Sequence, residues 1–316
     1  MRQNLIKLTS WLAGIGGVAA IVWYAQPENF VEAIGALRWQ ELIGWILLTL
    51  IARFLMGETT VAPLKALGFS MPRIDAFWIG WIRTFANQIL PLSGLAAYAQ
   101  IVRKRIQISW SELAALAAPQ LVLAAAALGI VGLLATAANF NRLQSLAYVL
   151  AAVYLVVMAV AIATASGAAW FIELFPEALS SRVSRTANAL RRLVNYPGLV
   201  TKMVAYHSMV ILLRGARLWI LFSAVGVTLE WQELLLVLAI SESSMLINVT
   251  PGGLGVREGF VIGGSALLDI PAPIAASVAL VDRLFVISIT TFLTAPAIIF
   301  LRSRRPKNPT RRKQQC

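Results

Sequence analysis

The sequence predicts an all-α polytopic membrane protein, and three observations carry that prediction. Of its 316 residues, 59% are hydrophobic and 13% charged, and the mean hydropathy is +0.76. Soluble domains are nearer half apolar and a quarter charged. Several apolar runs reach the roughly 20 residues that a bilayer crossing needs. Two further apolar stretches are interrupted, at Pro91-Leu92-Ser93-Gly94 and at Pro251-Gly252-Gly253-Leu254-Gly255. A helix does not run undisturbed through such segments, because proline lacks an N–H and glycine costs backbone entropy. A bilayer tolerates broken backbone only where protein buries it or where it lines a wet cavity. The expected architecture is six full spans plus two re-entrant or broken helices.

In chain order, the first span covers about residues 5–24, behind Arg2 and with Lys7 near its start. No small-residue cleavage site follows, so this run is expected to stay in the membrane rather than act as a signal peptide. Glu28, Glu32, Arg38 and Glu41 follow it. Span two begins near 42 and ends past 60, before Lys65 and Arg73. The stretch 77–90 meets the first break and leads out to Arg103-Lys104-Arg105. Span three covers about 110–137, and a loop carrying Arg142 separates it from span four, about 146–171. A polar segment, 173–202, holds Arg182, Arg185, Arg191 and Arg192. Span five is about 203–225, with Glu230 and Glu233 behind it. The stretch 234–247 enters the second break and 255–268 leaves it. Span six, about 273–301, precedes a basic tail over 302–316.

The charges orient these spans. Net charge is +13, but lysine and arginine gather in loops and at the ends, as they do in membrane proteins with their basic loops inside. With the N-terminus inside, only Arg38 and Arg142 fall outside, together with most loop carboxylates. Both termini are then cytoplasmic, and the two breaks open from opposite sides. The surplus is a topology signal, not a nucleic-acid footprint.

The chain also repeats itself. Ala66-Leu67-Gly68-Phe69-Ser70 parallels Ala224-Val225-Gly226-Val227-Thr228, and seven residues after each glycine stands an acid, Asp75 or Glu233. An apolar segment, an asparagine (Asn87, Asn248) and a proline with glycines follow in each case. One transmembrane domain, 1–301, is expected to divide into repeats of about 1–137 and 145–301. Halves of three spans each must be inverted relative to one another, a recurring transporter architecture.

One cysteine, Cys316, and one histidine, His207, exclude an intrachain disulfide and leave no cluster for a metal. No cofactor is expected. Gly252-Gly253-Leu254-Gly255 lacks the preceding strand and following lysine of a nucleotide-binding loop. His207 reads as interfacial, and the tryptophans, mostly near span ends, read as an aromatic belt.

Ionised groups inside spans cost roughly 2.5–3.5 kcal/mol each. Here they are Arg53, Glu58, Arg83, Arg214, Arg217, Glu242, Arg257, Glu258, Asp282 and Arg283. Arg214 and Arg217, a helical turn apart, share a face. Several arginines with few acids point to a cavity for an anionic group such as a lipid phosphate, which guanidinium binds bidentately. The plainer reading is structural ion pairing, or snorkelling to the interface. The glycine loop adds inward N–H groups, and the helix starting near Val256 adds its positive end. Glu258, in that first turn, is equally a helix-start residue. Asp282 and Arg283 either pair with each other or belong to the site. The candidate lipid-binding set is Arg53, Arg83, Asn87, Pro91, Arg214, Arg217, Glu242, Asn248, Thr250, Pro251, Gly252, Gly253, Gly255, Arg257, Glu258, Asp282 and Arg283.

Pro251-Gly252-Gly253-Leu254-Gly255-Val256-Arg257-Glu258-Gly259, followed by Asp282-Arg283, resembles the transmembrane family named after lysylphosphatidylglycerol synthase. Asn87 to Gly94 matches that family's earlier Asn-x-x-Leu-Pro element, so the resemblance covers nearly the whole chain. It implies translocation of modified or glycosylated phospholipids between leaflets of a bacterial inner membrane. The chain departs from the family pattern twice. Leu95 stands where a glutamate usually follows the first motif, and Pro119-Gln120 where a charged pair often occurs. The soluble aminoacyl-transferase domain of the family's long members is not expected behind span six.

The favoured function is thus a lipid translocase and not an enzyme, acting on an anionic, aminoacylated or glycosylated phospholipid or a polyprenyl lipid. Glu258, Glu242 and Asp282 are the candidates for proton coupling. The alternatives are a glycosyltransferase with a polyprenyl-phosphate donor, for which Glu28 and Glu32 are the candidate acids, and a lipid-binding accessory subunit. The partners expected are membrane lipids and no nucleic acid, with homo-oligomerisation left open.

Overall fold

The computed structural model describes residues 27–66, 68–90, 93–108, 110–166, 198–247 and 250–304, with the single positions 16, 19, 21, 180 and 196. Most of the first predicted span, most of the polar segment and tail, and the candidate residues Pro91 and Asn248 lie outside them. The described residues form helices without strands: α1 (Pro27–Gly35), α2 (Trp39–Ala66), α3 (Arg73–Ile89), α4 (Ser93–Ile106) and α5 (Trp110–Ala138). There follow α6 (Phe140–Leu143), α7 (Ser145–Ser166), α8 (Leu199–Ala224), α9 (Trp231–Ser243), α10 (Val256–Ala266) and α11 (Ala272–Ser303). Single 3-10 turns occupy Ser244–Leu246 and Pro251–Gly253.

Five of these helices, α2, α5, α7, α8 and α11, are long and apolar enough to cross a membrane. They coincide with predicted spans two to six. Their outer faces carry exposed apolar residues, such as Leu47, Ile51 and Phe54 on α2, Val149, Val153 and Val156 on α7, and Phe292 and Ile299 on α11. Hydrocarbon is the natural neighbour for such faces. Trp39, Trp110 and Trp231 are exposed at helix starts, as an interfacial belt requires, but Trp45 and Trp81 are buried. His207 is buried as well, at 7% exposure, which corrects its interfacial reading. The short helices α1 and α6 appear where only loops were expected.

The repeated sequence folds into a repeated turn. After α2, Gly68 takes φ 82° and donates its N–H to the Lys65 carbonyl at 3.1 Å, while Phe69 donates to Leu64 at 2.9 Å. After α8, Gly226 takes φ 82° and donates to Ser223 at 3.1 Å, while Val227 donates to Phe222 at 2.9 Å. Each is a Schellman ending, which needs a left-handed residue and so favours glycine. Asp75 and Glu233 then occupy the same third position of α3 and α9, where a carboxylate complements the helix dipole. The matching continues at the ends of α4 and α10, where Gln107 and Asp269 are left-handed, with φ 56° and 59°.

Packing is reciprocal between the halves. α2 lies along α8; α3, from the first half, packs on α11, the closing helix of the second; α9, from the second half, packs on α5, the closing helix of the first. Small residues allow close approach, as is common between membrane helices: a Cβ added at Gly215 of α8 would stand 2.7 Å from Leu238 of α9. The two broken segments are thereby brought to the middle of the bundle.

Candidate functional site

The first break is held by its own side chains. Asn87, near the end of α3, accepts the Gly94 N–H on Oδ1 at 2.8 Å, and Ser93 donates its hydroxyl to the Ala86 and Leu90 carbonyls. The start of α4 thus folds back against the end of α3. A Cβ on Gly94 would overlap the Arg83 carbonyl oxygen and the Asn87 side chain.

The second break uses backbone freedom instead. Gly252, Gly253 and Gly255 have φ of 57°, 71° and 79°, a region other residues rarely enter. Thr250 donates its hydroxyl to the Leu254 carbonyl at 2.9 Å. Glu258 accepts the Gly255 N–H at 2.8 Å and is buried, so its helix-start role holds. Pro251 is buried too. The breaks touch: a Cβ on Gly252 would stand 3.0 Å from Arg283 Nη2, 3.5 Å from Gln88 Cα and 3.6 Å from the Asn87 carbonyl oxygen.

Where they meet there is a cavity of about 400 Å³. Arg53 of α2, Arg83 of α3, Arg214 and Arg217 of α8, Arg257 of α10 and Arg283 of α11 line it, with Asn87, Glu242, Gly252 and Gly253. Ten residues of the candidate set therefore share one surface. Thr250, Pro251, Gly255, Glu258 and Asp282 lie behind it and shape or charge it. Glu28 and Glu32 stand exposed on α1 and are not among its lining residues.

Most of these charges are paired. Glu242 meets Arg214 at 2.5 Å, and Glu258 meets Arg283 at 3.8 Å. Asp282, with 0% exposure, receives Arg257 at 2.7 Å and Arg217 at 3.2 Å on Oδ2, and Trp45 Nε1 at 2.9 Å on Oδ1. Arg217 also donates to Thr49 at 3.1 Å and lies over the Trp45 ring at 4.7 Å. Asp282 and Arg283 are thus not a pair with each other, because successive residues of a helix point in different directions. Arg53 instead donates to the Thr84 hydroxyl at 2.6 Å and lies over Trp81 at 4.8 Å, and Arg83 lies over Tyr98 at 5.3 Å. Among the described residues, six lining arginines are set against three carboxylates, an excess of three positive charges.

Trp45, Thr49, Thr84, Gln88 and Tyr98 escaped the sequence reading. A signal was present in α2, where Trp45, Thr49, Arg53, Gly57 and Thr60 recur every three or four residues. That spacing draws one polar stripe down an apolar helix. Its upper part, Trp45 and Thr49, meets Asp282 and Arg217, while Arg53 and Gly57 lie against α3.

These features define a polytopic helical membrane protein with a guanidinium-lined cavity at the meeting of two broken helices. The lysylphosphatidylglycerol synthase TM region matches residues 11–294, and the chain belongs to that family. No curated protein and no solved structure matches it. The family is one of lipid-related membrane domains.

Proposed function

We propose that the protein is a lipid translocase, moving a lipid with a phosphate-bearing headgroup between leaflets through the cavity between its halves. The single observation that carries this reading is the arginine excess in a cavity that also reaches exposed apolar surface, at Leu121 and Met245. A headgroup can meet guanidinium inside while its tails stay beside those residues in hydrocarbon. The chain then has six full spans, cytoplasmic termini and inverted repeats, placed in a bacterial inner membrane. The matched glycine turns, the two third-position acids and the reciprocal packing of α3 and α9 support that arrangement. The reading assigns no covalent step to the chain.

Its test is leaflet exchange in vesicles carrying the purified protein and fluorescent phosphatidylglycerol or a glycosylated lipid. Exchange should accelerate, and should slow again with Arg214→Gln. Vesicles in which no anionic or glycosylated lipid exchanges faster than in empty ones would overturn the reading.

A further inference from the structure

The arginines of the cavity fall into two groups. Arg214, Arg217, Arg257 and Arg283 each stand within 4 Å of a carboxylate, although Arg217 and Arg257 share the same one. Among the described residues, Arg53 and Arg83 have no carboxylate partner; they rest on the rings of Trp81 and Tyr98. Aromatic faces offset part of a cation's cost, but not its charge. Both side chains are half-buried and both line the cavity. Several guanidinium N–H groups there also lack an acceptor, among them Arg53 Nε, Arg257 Nη2 and Arg283 Nε.

An excess of positive charge held away from bulk water is costly without a counter-charge. A ligand that settles here has to supply negative charge and oxygen acceptors, and a phosphate supplies both. An aminoacyl ester on the same headgroup does the opposite. A lysyl ester adds ammonium groups, turns the headgroup net positive, and sets those groups among guanidinium ions. Like charges in a confined site are a strong means of rejecting a ligand.

We propose, resting on the translocase reading, that this cavity takes headgroups that are net negative at their phosphate and rejects aminoacylated ones, with Arg53 and Arg83 as the pair that holds the phosphate. This narrows the cargo of a chain whose family is described by a lysylated lipid. Arg214, Arg217, Arg257 and Arg283 stay engaged with their carboxylates and form the walls. The uncompensated pair supplies the attraction.

The experiment is native mass spectrometry of the full chain in detergent, titrated separately with dioleoyl phosphatidic acid, phosphatidylglycerol, lysyl-phosphatidylglycerol and phosphatidylcholine. Phosphatidic acid and phosphatidylglycerol should bind, and the lysylated lipid should bind at least about tenfold more weakly, because its ammonium groups meet guanidinium ions. Arg53→Gln and Arg83→Gln should each weaken phosphatidylglycerol by a similar factor, Arg53→Lys and Arg83→Lys by less, and Glu28→Gln not at all. Thermal unfolding of each variant separates lost binding from lost folding. Lysyl-phosphatidylglycerol binding as tightly as phosphatidylglycerol overturns the proposal, as do Gln variants that fold and bind unchanged. Displacement of the lipid by an equal concentration of inorganic phosphate assigns the site to a soluble anion and also overturns it. Leaflet exchange in the same preparations keeps the two readings apart: selective binding without exchange sinks the translocase, whereas exchange with unselective binding sinks only the headgroup rule.

Discussion

Arg217 and Arg257, on separate helices, converge on a single oxygen of Asp282, at 3.2 and 2.7 Å. The other oxygen of that carboxylate accepts the Trp45 indole N–H at 2.9 Å. One side chain on α11 therefore binds α2, α8 and α10 together, in a position with no exposure.

Asp282→Asn should accordingly destabilise the bundle by about 3 kcal/mol, because removing one member of a buried ionic cluster leaves uncompensated charge. The measurement is thermal or denaturant unfolding in detergent. An unchanged midpoint would mean that the cluster contributes nothing to the fold.

Trp45→Phe keeps an aromatic face for Arg217 but removes the donor to Asp282. A loss of about 1.5–3 kcal/mol is expected, the range for a hydrogen bond to a charged group. Trp45→Ala should cost more, since it also opens a void beside Phe285, whose ring sits 5.5 Å away. Equal losses in the two variants would show that the indole N–H is immaterial.

Alanine at Gly252 and at Gly253 makes an internal comparison. Both residues have positive φ, so each substitution stores roughly 1–2 kcal/mol of backbone strain. Only Gly252 faces Arg283 at 3.0 Å; nothing lies within 4 Å of a Cβ on Gly253. Gly252→Ala should slow leaflet exchange further than Gly253→Ala at similar stability. The opposite order would detach the contact between the breaks from transport.

Arg142 bridges Glu233 and Asp269 at the bundle's edge, with its side chain 40% exposed. Arg142→Gln should cost less than about 1 kcal/mol, and 1 M salt should erase the difference. A salt-independent loss would place this cluster in a drier environment than its exposure indicates.

The spans were legible because apolar runs of that length have one common explanation. Span three, expected over 110–137, is Trp110–Ala138; span six, expected over 273–301, is Ala272–Ser303. The duplicated glycines were legible as a sequence repeat, whereas the left-handed turns they form came only with the structure. What stayed hidden depended on tertiary packing. α1 is only nine residues long and rests on α11, and a helix so short has little stability of its own. Trp45 is chemically the same as the belt tryptophans, and only its i+4 relation to Thr49 and burial set it apart. The partners of Asp282 lie 25, 65 and 237 residues away. Charge count announced that ionised groups would gather; it did not say which would be left uncompensated.

The reciprocal packing of the halves sets a schedule for biogenesis. The first broken helix, α3, is synthesised early and packs on its neighbours α2 and α4, yet a further part of its surface waits for α11. Arg105 of α4 likewise donates at 3.0 Å to the carbonyl of Leu301, 196 residues further on. Arg217 and Arg257 have no Asp282 to meet until α11 has been inserted. A ribosome that has not yet delivered α11 leaves a bundle with bare guanidinium groups at its centre. The last long helix is thus the clasp of the whole assembly.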